Sequence, residues 1–105
     1  MYTPIDDALS LKDYEGQKVS CTGQVSRTPW QHLGGFFPDY PYSEYFDVGD
    51  FQIIIYSKEK INCPGNVAVK GTVIRLDGPS KGPSKTGDGY HEFHIIVDEF
   101  GCVQP

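Results

Sequence analysis

The sequence predicts an all-β fold in which five antiparallel strands close into one small barrel. Three observations carry that prediction. Apolar residues recur at every second position in several short stretches, as they do in half-buried strands. Two of these stretches carry a glycine at the same internal place, where a small barrel must bend its strands. Glycine, proline and aspartate fill the spaces between them, which is the chemistry of turns and loops.

The opening Thr3-Pro4-Ile5-Asp6 reads as a helix start, with Thr3 as N-cap, Pro4 in the first helical position and acids near the positive helix end. Residues 1–15 are therefore expected to form a short helical lead-in or turn. Val19, Cys21, Gly23 and Val25 alternate with polar residues and define a first strand over residues 18–29. Residues 29–42 are crowded with proline, glycine and aromatics, a composition that interrupts regular structure and can pack as an ordered loop. Residues 45–48 and 51–58 give the second and third strands, joined by a tight turn at Gly49-Asp50. After Pro64-Gly65, the alternation of Val67, Val69, Gly71 and Val73 marks a fourth strand that ends near Leu76. Residues 77–89 hold Gly-Pro-Ser-Lys twice in tandem and predict a flexible loop between strands four and five. From Tyr90 the run Tyr-His-Glu-Phe-His-Ile-Ile-Val-Asp gives the last strand, with Phe93, Ile95 and Val97 inward. Val19, Val25, Phe51, Ile53 and Ile55, with Val67, Val69 and Val73, complete the expected core.

A chain of 105 residues with 38% hydrophobic and 13% aromatic residues is apolar enough to bury one core, so residues 1–105 are expected to be a single domain. No apolar run approaches the roughly 20 residues of a membrane-crossing helix, and no membrane partner is expected. The first fifteen residues lack the basic start and apolar stretch of a secretory signal. Cys21, Cys63 and Cys102 leave one cysteine over in any pairing, and none belongs to a Cys-x-x-Cys pair that holds zinc, so a reducing cytoplasm is the expected compartment. Cys21 alternates with valines and is expected in the core. The formal charge of −5 argues against a protein that grips duplex nucleic acid mainly by neutralising phosphates.

The stretches Gly16-Gln17-Lys18-Val19-Ser20-Cys21-Thr22-Gly23-Gln24-Val25 and Gly65-Asn66-Val67-Ala68-Val69-Lys70-Gly71-Thr72-Val73 share one design: a turn glycine, apolar residues two apart, a mid-strand glycine, then valine. At these residues the chain resembles the OB-fold, the oligonucleotide- and oligosaccharide-binding Greek-key barrel, particularly its small stand-alone members that bind single-stranded nucleic acid or tRNA anticodons. Leu11-Lys12-Asp13-Tyr14-Glu15-Gly16 looks like the entry to their first strand. Two departures stand out. The helix usual between strands three and four has room for only one turn before Pro64, and the first loop is longer and more aromatic than the pattern requires.

The resemblance implies a ligand surface on strands two and three and the loops beside them, built from aromatic faces that stack bases and basic side chains that follow the phosphates. Parity sends Tyr45, Gln52, Ile54, Tyr56 and Lys58 outward there, opposite Phe46, Val48, Phe51, Ile53 and Ile55; the N-terminal helix or the first loop is the alternative cover for that stripe. Arg27 and Trp30 stand where the first strand ends, whereas Phe36 and Phe37 are expected to form a core for the loop. Arg75, Lys81 and Lys85 are candidates for a phosphate clamp from the fourth-to-fifth-strand side. His91 and His94 are three apart, which on a strand sends them to opposite faces, so no metal site is expected from them. No nucleophile motif, phosphate loop or paired carboxylate is evident, so neither an enzyme nor a cofactor is expected.

The leading functional expectation is thus a non-catalytic module that binds single-stranded DNA or RNA. The competing one is a protein-interaction module that uses the same aromatic face. A sugar or other small ligand is a third possibility. A neutral or acidic rim around the stripe favours the second and third.

Overall fold

A computed structural model describes residues 1–28, 32–77 and 91–103. The elements are β1 (Thr3–Pro4), a 3₁₀ helix (Ala8–Asp13), β2 (Lys18–Val25), β3 (Tyr42–Val48), β4 (Phe51–Ser57), β5 (Asn66–Asp77) and β6 (His91–Cys102). β2, β3, β4, β6 and β5 follow one another in the sheet, and β5 pairs back to β2, so five strands close a barrel. Its topology is compatible with an OB-like fold.

The barrel is not wholly antiparallel. β4 and β6 run parallel through Ile55 opposite Ile95 and Tyr56 opposite Ile96, because the β4–β5–β6 path returns the chain to the far edge of β4 in the same direction. The N-terminal residues also depart from expectation. Thr3 and Pro4 do not start a helix but form a two-residue edge strand parallel to β2, with Thr3 opposite Val19. Proline is tolerated there because an edge strand can face its missing donor away from the ladder. The helix begins later, capped by Asp7, whose carboxylate accepts the Ser10 backbone N–H at 3.2 Å.

The core is the inward set of all five barrel strands: Val19 and Cys21, Phe46 and Val48, Ile53 and Ile55, Val67, Val69 and Val73, then Ile95 and Val97. Leu11 closes one end from the helix, and Ile5 and Ile61 join from the connections. Val25 and Phe93, expected inside, are partly buried against this core. Phe51, also expected inside, is 45% exposed, because it directly follows the Gly49-Asp50 turn at the mouth of the barrel.

Both mid-strand glycines sit where strands approach closely. A Cβ at Gly23 would collide with the Asp47 carbonyl oxygen, and one at Gly71 with the Ile96 carbonyl oxygen. At Gly71 the register of β5 against β6 also shifts: Lys70 faces Glu99 and Gly71 faces Val97, leaving Asp98 bulged between them. The bulge aims Asp98 at the N-terminal side, where it accepts from Lys18 Nζ at 2.9 Å and Tyr2 Oη at 2.8 Å. The Lys18 bond, followed by that from Tyr2, holds the Asp98 carboxyl below the usual carboxylate range.

Cys63 and Cys102 are joined in a disulfide that ties the β4–β5 connection to the end of β6, a bond that oxidising compartments favour. The cysteine left over is Cys21, buried as expected; burial pushes its thiol pKa up to about 11, which suits a packing group and not a nucleophile. No helix among the described residues is long and apolar enough to cross a membrane.

Candidate functional site

β4 presents Ile54 and Tyr56 on the face opposite the core, as parity requires. That face is not open. Ile54 is 6% and Tyr56 3% exposed, because residues 32–37 of the first loop lie across them. The Gly35 backbone N–H donates to Tyr56 Oη at 2.9 Å, and the Phe37 ring packs edge-on against the Tyr56 ring at 4.7 Å between centroids. Burial in this contact raises the Tyr56 pKa, the Gly35 donor opposing it in part. The stacking platform expected on Tyr56 is therefore occupied by the chain's own phenylalanine, and Ile54 is corrected with it from an open to a covered position.

The other candidate residues separate. Tyr45 and Gln52 lie under the same loop, half-buried, with the His32 ring 5.8 Å from that of Tyr45. Lys58 is exposed at the far end of the face, its ammonium 5.6 Å from the Tyr40 ring centroid. Arg27 is exposed at the end of β2. Arg75 does not face a free groove: it pairs with Asp77 at 3.1 Å and lies 3.7 Å from Glu15. Trp30, Lys81 and Lys85, and the flexible loop expected at 77–89 beyond Asp77, lie outside the described residues. Phe36 is 87% exposed and so does not join Phe37 in a loop core.

The loop is fastened by a polar cluster that parity alone does not reveal. His91 and His94 do point to opposite faces, but His94 meets partners from other elements. Glu92 Oε1 lies 2.9 Å from His94 Nε2 and 3.0 Å from His32 Nδ1, and all three residues are shielded from solvent. His32 Nε2 lies 3.0 Å from Gln52 Oε1, while the two hydrogens of the Gln52 amide nitrogen are shared among three acceptors, Ser26 Oγ at 2.8 Å, the Thr28 carbonyl at 3.1 Å and Asp47 Oδ1 at 3.1 Å. His94 Nδ1 accepts the Ile54 backbone N–H at 2.9 Å. Burial lowers the His94 pKa, outweighing the opposing pull of Glu92. A pocket of about 230 Å³, lined among others by Leu9, Lys12, Phe51 and Phe93, reaches these side chains from the helix side.

His32, Glu92 and His94 each offer one ligand atom within 4.8 Å of the others, the composition of a metal site. The hydrogen bonds decide otherwise. An imidazole that binds a metal through one nitrogen carries its proton on the other and donates it outward. At His94 the outer nitrogen accepts from Ile54, so its proton sits on Nε2 and points at Glu92. A metal there would require loss of the Ile54 bond or an imidazolate. The arrangement fits protons shared between side chains.

The signal in the sequence was the placement of Glu92 and His94 at outward positions of a strand beside the apolar outward pair Ile54 and Tyr56. Charged and apolar groups on one patch imply a cover, and His32 in the aromatic loop supplies it. No protein-family model matches this chain, and no curated protein matches it in sequence.

Proposed function

We propose that this protein is a non-catalytic binding module built on an OB-like barrel, that its partner is a protein, and that Phe36 is the side chain the partner takes up. The observation that carries this reading is the opposite fate of two adjacent rings: Phe37 anchors the loop on Tyr56, while Phe36 is 87% exposed. A rigidly anchored loop that displays a large apolar ring has the character of an interface hot spot, where few residues supply most of the affinity. The charge pattern supports it. Lys18, Lys70 and Arg75 are engaged by Asp98, Glu99 and Asp77, so a phosphate backbone would have to compete with carboxylates already in place. The notion of a base-stacking face on β3 and β4 needs the loop to leave Ile54 and Tyr56 first.

Replacing Phe36 with a photoreactive phenylalanine analogue tests the reading, with the exposed Thr22 of β2 as the control position. A discrete crosslinked protein from position 36, absent from position 22 and competed by unmodified protein, is expected. Saturable binding of a labelled poly-pyrimidine strand at about 50 mM salt, without any such crosslink, would move the assignment to single-stranded nucleic acid.

A further inference from the structure

The hydrogen bonds around His32 fix a proton count. Gln52 is oriented by its donations to the Thr28 carbonyl and Asp47, groups that only accept, so its Oε1 faces His32 and the His32 Nε2 must carry a hydrogen. His94, holding its hydrogen on Nε2 because Ile54 donates to Nδ1, donates to Glu92. Between His32 Nδ1 and Glu92 Oε1, 3.0 Å apart, a bond then exists only if one further proton is present, either on the imidazole as imidazolium against carboxylate or on the carboxyl against neutral imidazole. Without that proton two lone pairs face each other. Turning the His32 tautomer moves the same conflict to Gln52, and turning the Gln52 amide breaks its bonds to Thr28 and Asp47.

We propose that the His32–Glu92 bridge is a proton-controlled latch: with its proton the first loop is fastened over Ile54 and Tyr56, and on losing it the loop is released. Among the described residues, the groups that face the bridge are Glu92 and His94 of β6, Gln52 and Tyr56 of β4, and Tyr45 and, through Gln52, Asp47 of β3; His91 of β6 and Lys12 of the helix stand on the wall of the shared pocket. That pocket gives solvent a path for exchanging the proton. Release of one proton per opening makes the open population rise tenfold for each pH unit above the titration of the bridge, the slope that linkage demands of a single proton. The same loop displays Phe36, so the latch sets whether that ring is presented on a fixed or a detached segment.

The test needs no partner, and its failure leaves the Phe36 reading standing. Histidine ring ¹⁵N signals and the Glu92 carboxyl ¹³C signal are followed by NMR from about pH 5 to 10 in the wild type, together with the Gly35 amide shift and cross-relaxation between the Phe37 and Tyr56 rings. The bridge is expected to lose one proton within this range, and the Gly35 and Phe37 signals are expected to leave their docked positions in step with it. Glu92→Gln places at the Oε1 position an amide atom that can accept from His94 or donate to His32 but not both, so it should remove the pH dependence and leave the loop less firmly docked at every pH. His32→Gln, which changes only the loop, should abolish the pH dependence without altering the strands. Docked signals that persist after the proton has gone, or a bridge that holds its proton up to pH 10, would overturn the latch.

Discussion

The backbone N–H of Ile54 donates to Nδ1 of His94 across 2.9 Å, and that bond fixes which nitrogen of a buried imidazole carries the proton. It arises from the barrel's topology. β4 and β6 pair through only Ile55 with Ile95 and Tyr56 with Ile96, so the Ile54 N–H lies beyond the paired residues and is satisfied by a side chain. His94 thus completes the β4–β6 seam, and its remaining N–H reaches Glu92 and hence the loop.

The first prediction concerns stability against pH. Burial, the dominant cause, lowers the His94 pKa in the folded chain below the 6.5 of a free histidine. Above about pH 6.5 the group is neutral in both states, and its contribution to stability is fully present. As pH falls below that value the unfolded chain binds the proton first, so stability declines until folded His94 is protonated as well. His94→Gln should be less stable at pH 8 by about 1–3 kcal/mol, the cost of leaving a buried partner unsatisfied. Its further loss on acidification should be smaller than that of the wild type. Urea denaturation of both proteins at several pH values measures the difference; parallel curves would refute the assignment.

The second prediction is steric. Gly71→Ala places a methyl group against the Ile96 carbonyl oxygen and the Ile95 side chain, backbone and core that cannot move aside cheaply. A loss of about 1–3 kcal/mol, the usual cost of overpacking, is expected in denaturation experiments. Gly65→Ala meets no atom within 4 Å and should leave stability within about 0.5 kcal/mol of the wild type. Equal effects at the two positions would mean that the strands do not approach as described.

These glycines mark how far local reading reaches. Alternation along β2 and β5 identified Val19, Cys21, Val67, Val69 and Val73 as core, because period-two burial is a property of each strand alone. Phe51 failed because the same parity holds at the mouth of a barrel, where no opposite wall covers the ring. Thr3-Pro4 carries helix-start chemistry, yet tertiary pairing with Val19 and Ser20 prevails over it. The covered face stood in the local reading only as an alternative: the His32–Glu92 bridge that fastens the cover joins residues 60 apart, and nothing near either one names the partner.

The last prediction separates a covered face from an open one. An exposed stacking tyrosine can be removed with little loss of stability, whereas Tyr56 is 3% exposed and carries the Phe37 ring and the Gly35 amide. Tyr56→Ala should therefore cost about 3–5 kcal/mol, the range for deleting a large buried ring, against a total of roughly 5–15 kcal/mol for a domain. Tyr56→Phe keeps the ring and its packing on Phe37 and loses only the bond from the Gly35 N–H. Gly35 is exposed, so water can replace the lost acceptor, and the expected cost is about 0.5–1.5 kcal/mol. Phe37→Ala should fall between the two, because it removes the loop's half of the contact and leaves Tyr56 in its strand. Urea denaturation gives the three values, and the ring signals of Phe37 report whether the loop remains docked in Tyr56→Phe. A Tyr56→Ala protein within about 0.5 kcal/mol of the wild type would mean that the loop does not cover this face, and β3 and β4 would again be open to stack the bases of a single strand.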